Sequence, residues 1–512
     1  MTGSLGSVIR PTRPTPISLH DIVAATDAST AAPAPSRQIT GLTLSSQRVL
    51  PGDLYVALPG ARVHGARFAD DAVSAGAVAV LTDEDGAALL GDTAGVPVLV
   101  VEGPRRLLGR LAALVYGDPA SRITLLAVTG TQGKTTTTRL LESALTGAGV
   151  RSAAIGTVGT RIAGVDVRTE LTTPESPDLH GLFARMVEEH VDVCAMEVSS
   201  HALVMGRVDG VVFDVAAFTN LGRDHLDFHT DMEDYFAAKA SLFTSARARR
   251  GLANVDDEYG RRLVEVATIP MRTFSIRDDR ADWVALDIDE RPDGSTFRVR
   301  GPDGDTYPAR IPLPGRFNVA NALCAIALAG EAGLDARAIA AAMGEVPGVP
   351  GRLERIDAGQ DFLAVVDYAH KPDAVAAAIG ALRPMTRGRV IVVIGAGGDR
   401  DRGKRPLMGR IAAEEADVLI VTDDNPRSED PAAIRAEMVG GARAVRTRGA
   451  EVREIGDRRA AIREAIAMAG PGDTVLVAGK GHETGQDVGG VVHPFDDRDE
   501  VRTALESRGG PR

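Results

Sequence analysis

Short apolar runs alternate with glycine-rich turns and helix-like segments over most of the chain. GDLYVALPG (52–60) reads as a strand and turn, ARFADDAVSAG (66–76) as a helix, and AVAVLTD (77–83) as a second strand. This alternation is the signature of an α/β domain with parallel strands. YGDPASR (116–122) interrupts the pattern before a new apolar run, TLLAVTG, and a first domain boundary is placed there. A second block closes near GEVPGVPGRLE (344–354), where prolines and glycines punctuate the chain. Beyond it, FLAVVDYAH, GRVIVVIGAGG, DVLIVTDDNP and DTVLVAGKGHE are Val/Ile/Leu strands, each ending in a polar or glycine-rich loop. Continuous apolar runs suit parallel strands buried on both faces, whose ligands bind at the strands' carboxyl ends. The expected architecture is α/β with three domains, 1–121, 122–346 and 347–512. Residues 1–16, rich in Pro, Thr and Arg, are expected to form a loose tail.

Composition narrows the function classes. The 512 residues are 44% hydrophobic and 25% charged, with a net charge of -12. An acidic balance argues against broad binding to nucleic acid or anionic membrane. Cys194 and Cys324, the two cysteines, both sit in apolar stretches, which excludes a disulfide framework or thiolate metal site. The N-terminus has no apolar signal core, and no run of about 18 apolar residues occurs. A reduced, cytoplasmic protein with no membrane insertion is the expectation.

The stretch AVTGTQGKTTTTRLLESAL (127–145) carries the first chemistry. Thr129, Gly130, Thr131, Gln132 and Gly133 form a loop between strand and helix, where backbone N–H groups and the helix N-terminus converge on phosphate. Lys134 would reach the outer phosphates, and Thr135 would place its hydroxyl on Mg²⁺. The spacing is G-x-x-G-K-T, shorter than the commonest phosphate loop. No N-K-x-D guanine reader is present, which argues against a GTPase switch. VCAMEVSSHAL (193–203) ends a strand in Glu197, a fitting Mg²⁺ carboxylate. FTNLGRDHLDFH (218–229) places Asp224, His225, Asp227 and His229 at a strand tip, where a loop histidine such as His225 is more often a hydrogen-bonding partner than a metal ligand. Lys239, in DYFAAKASLF (234–243), reads by composition as a surface lysine on an apolar helix face.

Taken together, TGTQGKTTTT, MEVSSHAL, TNLGRDHLD, AAKASLF, PGRFNVANALCA, GRLE, VVDYAHKPDA, GAGGDRDRGKRPLM, DDNPR and AGKGHE resemble, in order, the Mur ligase family of peptidoglycan enzymes. The resemblance covers roughly residues 40 to 500. It implies an N-terminal domain for a uridine nucleotide, a central P-loop ATPase with a mostly parallel sheet, and a C-terminal Rossmann-like domain for an amino acid. The implied reaction is ATP-dependent and ADP-forming. It joins meso-diaminopimelate to the D-glutamate side-chain carboxylate of UDP-N-acetylmuramoyl-L-alanyl-D-glutamate through an acyl phosphate, by a monomer. The resemblance also implies a CO₂-derived carbamate on Lys239, which with Glu197 and His225 would hold a second Mg²⁺.

Further residues carry over by position. Arg352, Asp367 and His370 match nucleotide contacts from the third domain. Asn318 matches an adenine contact, with a helix N-cap as the alternative. Leu44, Ser46, Thr172, Thr173, Ser199 and Arg207 match contacts of the uridine substrate. Arg427 in DDNPRSEDP (423–431) offers a bidentate fork for the far carboxylate of diaminopimelate, which lysine lacks. The alternative for Arg427 is a solvated arginine paired with Glu429 or Asp430. Asp424, Asn425, Pro426, Arg400, Gly479 and Glu483 match further contacts, Glu483 as acceptor for the distal ammonium. Rival readings are the same ligation with L-lysine, a folylpolyglutamate synthase-like ligase, and a nucleotide-gated binding protein without amide synthesis.

Overall fold

The computed structural model describes residues 9–30, 36–60, 62–91, 95–291, 293–446 and 449–509. Three separate sheets organise the chain. The first has the strand order Ser29–Thr30, Val98–Val100, Ala79–Thr82, Asp53–Val56, Gly41–Thr43, parallel except at the Ser29–Thr30 edge. Its side chains alternate between two cores. Leu54 and Val56 face the helices Leu19–Thr26 and Pro104–Val115, while Tyr55 and Ala57 face the helix Ala69–Ser74.

The central sheet has 11 strands. Its middle is parallel, in the order Ser152–Gly156, Val193–Glu197, Thr124–Thr129, Phe213–Phe218, Ala248–Asn254, Met271–Ser275. Leu126 and Val128 pack against the helices Lys134–Gly147 and Arg316–Glu331, and Leu125 and Ala127 pack against the helix Ser176–Glu188. Both edges turn antiparallel, through Gly159–Ile162 with Val165–Val167 on one side and the meander Trp283–Arg291, Gly294–Arg300, Thr306–Ile311 on the other. The third sheet runs Glu354–Arg355, Leu363–Asp367, Thr474–Ala478, Val390–Ile394, Val418–Val421, Glu451–Glu454, parallel beyond its first pair, with cores on both faces. No helix among the described residues is long and apolar enough to cross a membrane.

The expected loose tail needs correction. Residues 1–8 lie outside the described residues, but the segment that follows them is tied down. Ile9 is buried in the central domain's core beside Leu179 and Phe183. Arg10 is buried against the first sheet, donating to both oxygens of Asp53 at 2.6 and 2.8 Å and to the Leu42 carbonyl at 2.9 Å. Thr12 donates its backbone N–H to Glu188 at 2.8 Å. A buried guanidinium persists only with such a partner set, and Asp53, within a strand, supplies it.

Candidate functional site

The carboxyl ends of the central and third sheets face one another across a cleft of about 840 Å³. On the central side, the strand Thr124–Thr129 runs into the helix Lys134–Gly147 through a loop with Gly130 at φ 145° and Gly133 at φ 86°. Neither position tolerates a side chain. A Cβ on Gly130 would lie 1.9 Å from Thr219 Oγ1, and one on Gly133 would lie 2.4 Å from Asn321 Oδ1. The loop is held from the next strand end, where Asn220 accepts from the N–H groups of Thr131 and Gln132, each at 2.9 Å. Lys134 folds back to donate to the Gly130 carbonyl at 2.8 Å. Burial and the nearby Lys371 lower its amine to about 8. Thr131, Gln132, Gly133, Lys134 and Thr135 line the cleft, whereas Thr129 lies beneath it.

Lys239 is not a surface lysine. Its helix, Met232–Ala240, lays the side chain under the phosphate loop, where it is 1% exposed and donates to the Gly130 carbonyl at 2.9 Å. Burial, with Lys134 and Lys371 close by, holds its amine well below the ordinary lysine range. Composition favoured the surface because the stretch shows only a lysine among apolar neighbours. The burying partner, Gly130, lies 109 positions away.

Glu197 ends its strand fully buried, yet reaches the cleft. Its carboxylate accepts from the Thr157 N–H at 2.8 Å and the Thr157 hydroxyl at 3.1 Å, and a Cβ on Gly156 would lie 2.2 Å from Oε1. His225 also lines the cleft, with φ 53°. Burial lowers its pKa, partly offset by Asp224 at 2.9 Å. Asp224 also pairs with Lys371 at 2.5 Å. Burial opposes its ionisation, but Lys371 and His225 outweigh that and hold its carboxyl well below the usual range. This Asp224–Lys371 pair joins the central and third domains and was missed as a site feature by sequence reasoning. The signal was present, since both residues fall inside the quoted motifs TNLGRDHLD and VVDYAHKPDA.

From the third domain, Arg352 donates to the Thr135 hydroxyl at 3.2 Å and stacks over Tyr368 with its guanidinium 4.7 Å from the ring. Asp367 is buried, which raises its pKa against the pull of Arg352, and accepts from the N–H groups of Leu353 and Ala369. His370 bonds the Tyr368 carbonyl at 2.7 Å, and burial next to Lys371 keeps it neutral. Asn318 is not an N-cap. Gly315 caps that helix, and Asn318 sits in its first turn, bonded to the Pro314 carbonyl at 2.7 Å with its flank on the cleft.

The expected amino-acid readers gather at the far end. Arg427, at φ 52°, donates to the Gly398 carbonyl at 2.6 Å and pairs with neither Glu429, which binds Arg405, nor Asp430, which caps a helix. Its backbone is held by the hairpin Gly485–Val488 and Val491–Pro494, through N–H to the Asp487 carbonyl and carbonyl to the Gly489 N–H. Arg400, Asp424, Asn425, Gly479 and Glu483 share the lining with Arg427, and Pro426 packs behind them. Gly479 must be glycine, since a Cβ there would lie 2.5 Å from Asp424 Oδ2.

Of the residues expected to meet the uridine substrate, Thr172, Ser199 and Arg207 line the cleft. Thr173 lies behind them, donating to the Glu197 carbonyl at 2.9 Å. Arg207 is set by Glu175 at 2.9 Å and the Thr173 carbonyl at 3.3 Å. Leu44 and Ser46 stand apart, half-buried at the end of a strand in the first sheet.

Among the described residues, no three His, Cys, Asp or Glu side chains cluster as a metal-binding group. Glu197, the Thr135 hydroxyl and the His225 imidazole nevertheless line one cleft. Such a sparse, oxygen-led set suits Mg²⁺, which takes few protein ligands and completes its shell with phosphate and water.

A phosphate loop set against a doubly wound C-terminal sheet, with a small parallel domain in front, defines a three-domain nucleotide-binding α/β protein. Comparison with known proteins sharpens that class. Residues 38–116 match the Mur ligase family catalytic domain, residues 128–329 the Mur ligase middle domain, and residues 351–481 the Mur ligase glutamate ligase domain. A UDP-N-acetylmuramoyl-L-alanyl-D-glutamate--2,6-diaminopimelate ligase of Streptomyces avermitilis is 55% identical over 94% of this chain and 95% of its own. The protein of the same name in Streptomyces coelicolor is 53% identical over 98% and 99%. A solved structure of a ligase of that name superposes with a TM-score of 0.67 at 32% identity, over 97% of this chain and 100% of the other. The chain belongs to the Mur ligase family.

Proposed function

We propose that this protein joins meso-diaminopimelate to the D-glutamate side-chain carboxylate of UDP-N-acetylmuramoyl-L-alanyl-D-glutamate at the expense of ATP, a step of peptidoglycan synthesis. The observation that carries the reading is the shared cleft, with the phosphate loop at one end and Arg427, Asn425 and Glu483 at the other. The dipeptide carboxylate would lie between them, held near Thr172, Ser199 and Arg207. It attacks the γ-phosphate, giving ADP and an acyl phosphate. The diaminopimelate amine then attacks the acyl carbon, and phosphate leaves as the amide forms.

Bringing two anions together is the main barrier, and fixed cations reduce it. Lys134 and Arg352, which bonds Thr135, both line the cleft at the phosphate loop and would neutralise the transferring group. Asn220 holds the N–H groups of Thr131 and Gln132, so the phosphates would be oriented by the backbone N–H groups of Gly133, Lys134 and Thr135 at the helix N-terminus, and Asn318, Asp367 and His370 would frame the nucleoside. Mg²⁺, when bound through Thr135, Glu197 and His225, supplies charge neutralisation on the phosphates. The buried amine of Lys239, held well below the ordinary lysine range, is suited to take up CO₂, forming a carbamate and releasing one proton, which would turn an amine into an oxygen donor for a second Mg²⁺. At the far end, the Arg427 fork fits the distal carboxylate, with Arg400 beside it, and Glu483 the distal ammonium. The reading extends to a monomer working in the cytoplasm, where these soluble substrates meet ATP.

The test is phosphate release from ATP with the UDP-linked dipeptide, comparing meso-diaminopimelate with L-lysine, for the wild type and Arg427→Ala. Release with diaminopimelate alone, falling roughly 30-fold or more in the variant, is expected for loss of a charged hydrogen-bonding pair. Equal release with lysine would overturn the role given to Arg427. No release with either amino acid would overturn the acceptor.

A further inference from the structure

Lys480 is a buried cation that the reaction above does not use. Its side chain has no solvent exposure, and its ammonium donates to Asn425 Oδ1 at 2.9 Å and to Glu483 Oε2 at 3.1 Å, with Asp424 Oδ1 at 3.9 Å. A lysine is seldom buried completely unless it is paired and bonded in this way. Asn425 completes the frame. Its Oδ1 accepts from Lys480 and from the Asp487 N–H at 3.0 Å, which turns its Nδ2 toward Glu483 Oε2 at 2.8 Å. Two donors therefore converge on one oxygen of Glu483. The other, Oε1, has among the described residues only a long contact, with the Tyr368 hydroxyl at 3.4 Å, while Glu483 lines the cleft with about a third of its side chain exposed. The charges agree with the geometry. Asp424 and Glu483 carry two negative charges and Lys480 one positive, leaving one negative charge within this three-residue cluster. The next buried cation, Arg458, is neutralised by Asp497 at 2.7 Å.

We propose that Lys480 is a positioning residue for specificity: by pinning Oε2 of Glu483 it aims Oε1 into the cleft, so that the site selects an amino acid with a second ammonium at its far end. This rests on the diaminopimelate reading above. Without Lys480, two neighbouring carboxylates would lose their shared buried cation, and Glu483 would swing toward water.

The test uses the full-length enzyme, saturating ATP and dipeptide substrate, and two amino acids. One is meso-diaminopimelate. The other is L-2-aminopimelate, which keeps the far carboxylate but lacks the far ammonium; it is scored as a substrate or, where turnover is slow, as a competitor. In Lys480→Met, kcat/KM for meso-diaminopimelate should fall roughly ten- to a hundred-fold through KM, as expected for disturbing one charged hydrogen bond. The value for 2-aminopimelate should change less than about two-fold, and so should the KM for ATP. Equal losses on both amino acids would mean a packing role only and would overturn the proposal, as would no change on either. Lys480→Gln, which keeps a donor toward Asn425, is scored on the same ratio should Lys480→Met not fold. A wild type that ignores meso-diaminopimelate would overturn the underlying reading instead.

Discussion

At the scale of single residues, burial decides what the titratable groups can do. Lys134 titrates at about 8 in the free protein because burial and Lys371 disfavour its charge. ATP phosphates bind the protonated form, so affinity is full below that value and weakens as pH rises through it, approaching ten-fold per unit. Calorimetric ATP titrations between pH 7 and 9.5 would read this, and Lys134→Arg, which does not titrate there, should flatten the profile. His180 is the opposite case, remote from the cleft. It is fully buried, neither ring nitrogen has a hydrogen-bond partner among the described residues, and burial lowers it to about 4. The unfolded chain binds this proton first, near 6.5. Stability present above 6.5 is therefore lost as pH falls toward 4, by up to about 3 kcal/mol. His180→Leu should remove that slope in urea unfolding at pH 4.5 against pH 7.5, and should not destabilise at pH 7.5, since it deletes two unsatisfied polar atoms.

At the scale of elements, the central parallel strands were legible because strands buried on both faces are apolar throughout. The runs around Leu125, Val193, Ile391 and Leu476 are all strands in the parallel cores. The antiparallel meander was not singled out, because strands such as Gly294–Arg300 alternate the exposed Arg298 and half-buried Arg300 with buried Phe297 and Val299, leaving no continuous apolar run. Turn chemistry was legible where glycine was required. Gly133→Ala should test it: with φ 86° and Asn321 Oδ1 2.4 Å from the new Cβ, the loop must shift. ATP affinity should fall at least about ten-fold, read by nucleotide titration, while circular dichroism stays native, since the strain of about 1–3 kcal/mol falls on the loop alone. The hairpin around Gly489 was not legible as a support for Arg427. It acts through backbone bonds, which side-chain types do not encode.

At the scale of the whole molecule, a few long-range pairs link the domains. Ile9 belongs to the central core while its neighbour Arg10 binds Asp53 of the first sheet, so the chain's start bridges two domains. Arg10→Met leaves Asp53 buried without its partner and should cost about 3–5 kcal/mol, lowering the first urea-unfolding midpoint. Asp53→Asn combined with it should recover part of that loss, because the uncompensated charge is then gone. A double variant no better than Arg10→Met would show that lost packing dominates. The Asp224–Lys371 pair links the central and third domains in the same way, and both residues line the cleft.

By itself the sequence determined the α/β class, the phosphate loop, and the motifs that carry family membership, because these depend on residue type at short spacing. Only the tertiary structure decided that Lys239 lies buried under Gly130, that Asp224 meets Lys371, that the segment expected to be loose is anchored through Arg10, and that Lys480 bonds Glu483. The physical reason is common to most of these cases. A buried polar or charged group takes its meaning from the partner that satisfies it, and for Lys239, Asp224 and Arg10 that partner lies 109, 147 and 43 positions away. Lys480 is the exception in distance, three positions from Glu483, yet its second anchor, Asn425, lies 55 positions off, and only the fold brings both to one ammonium.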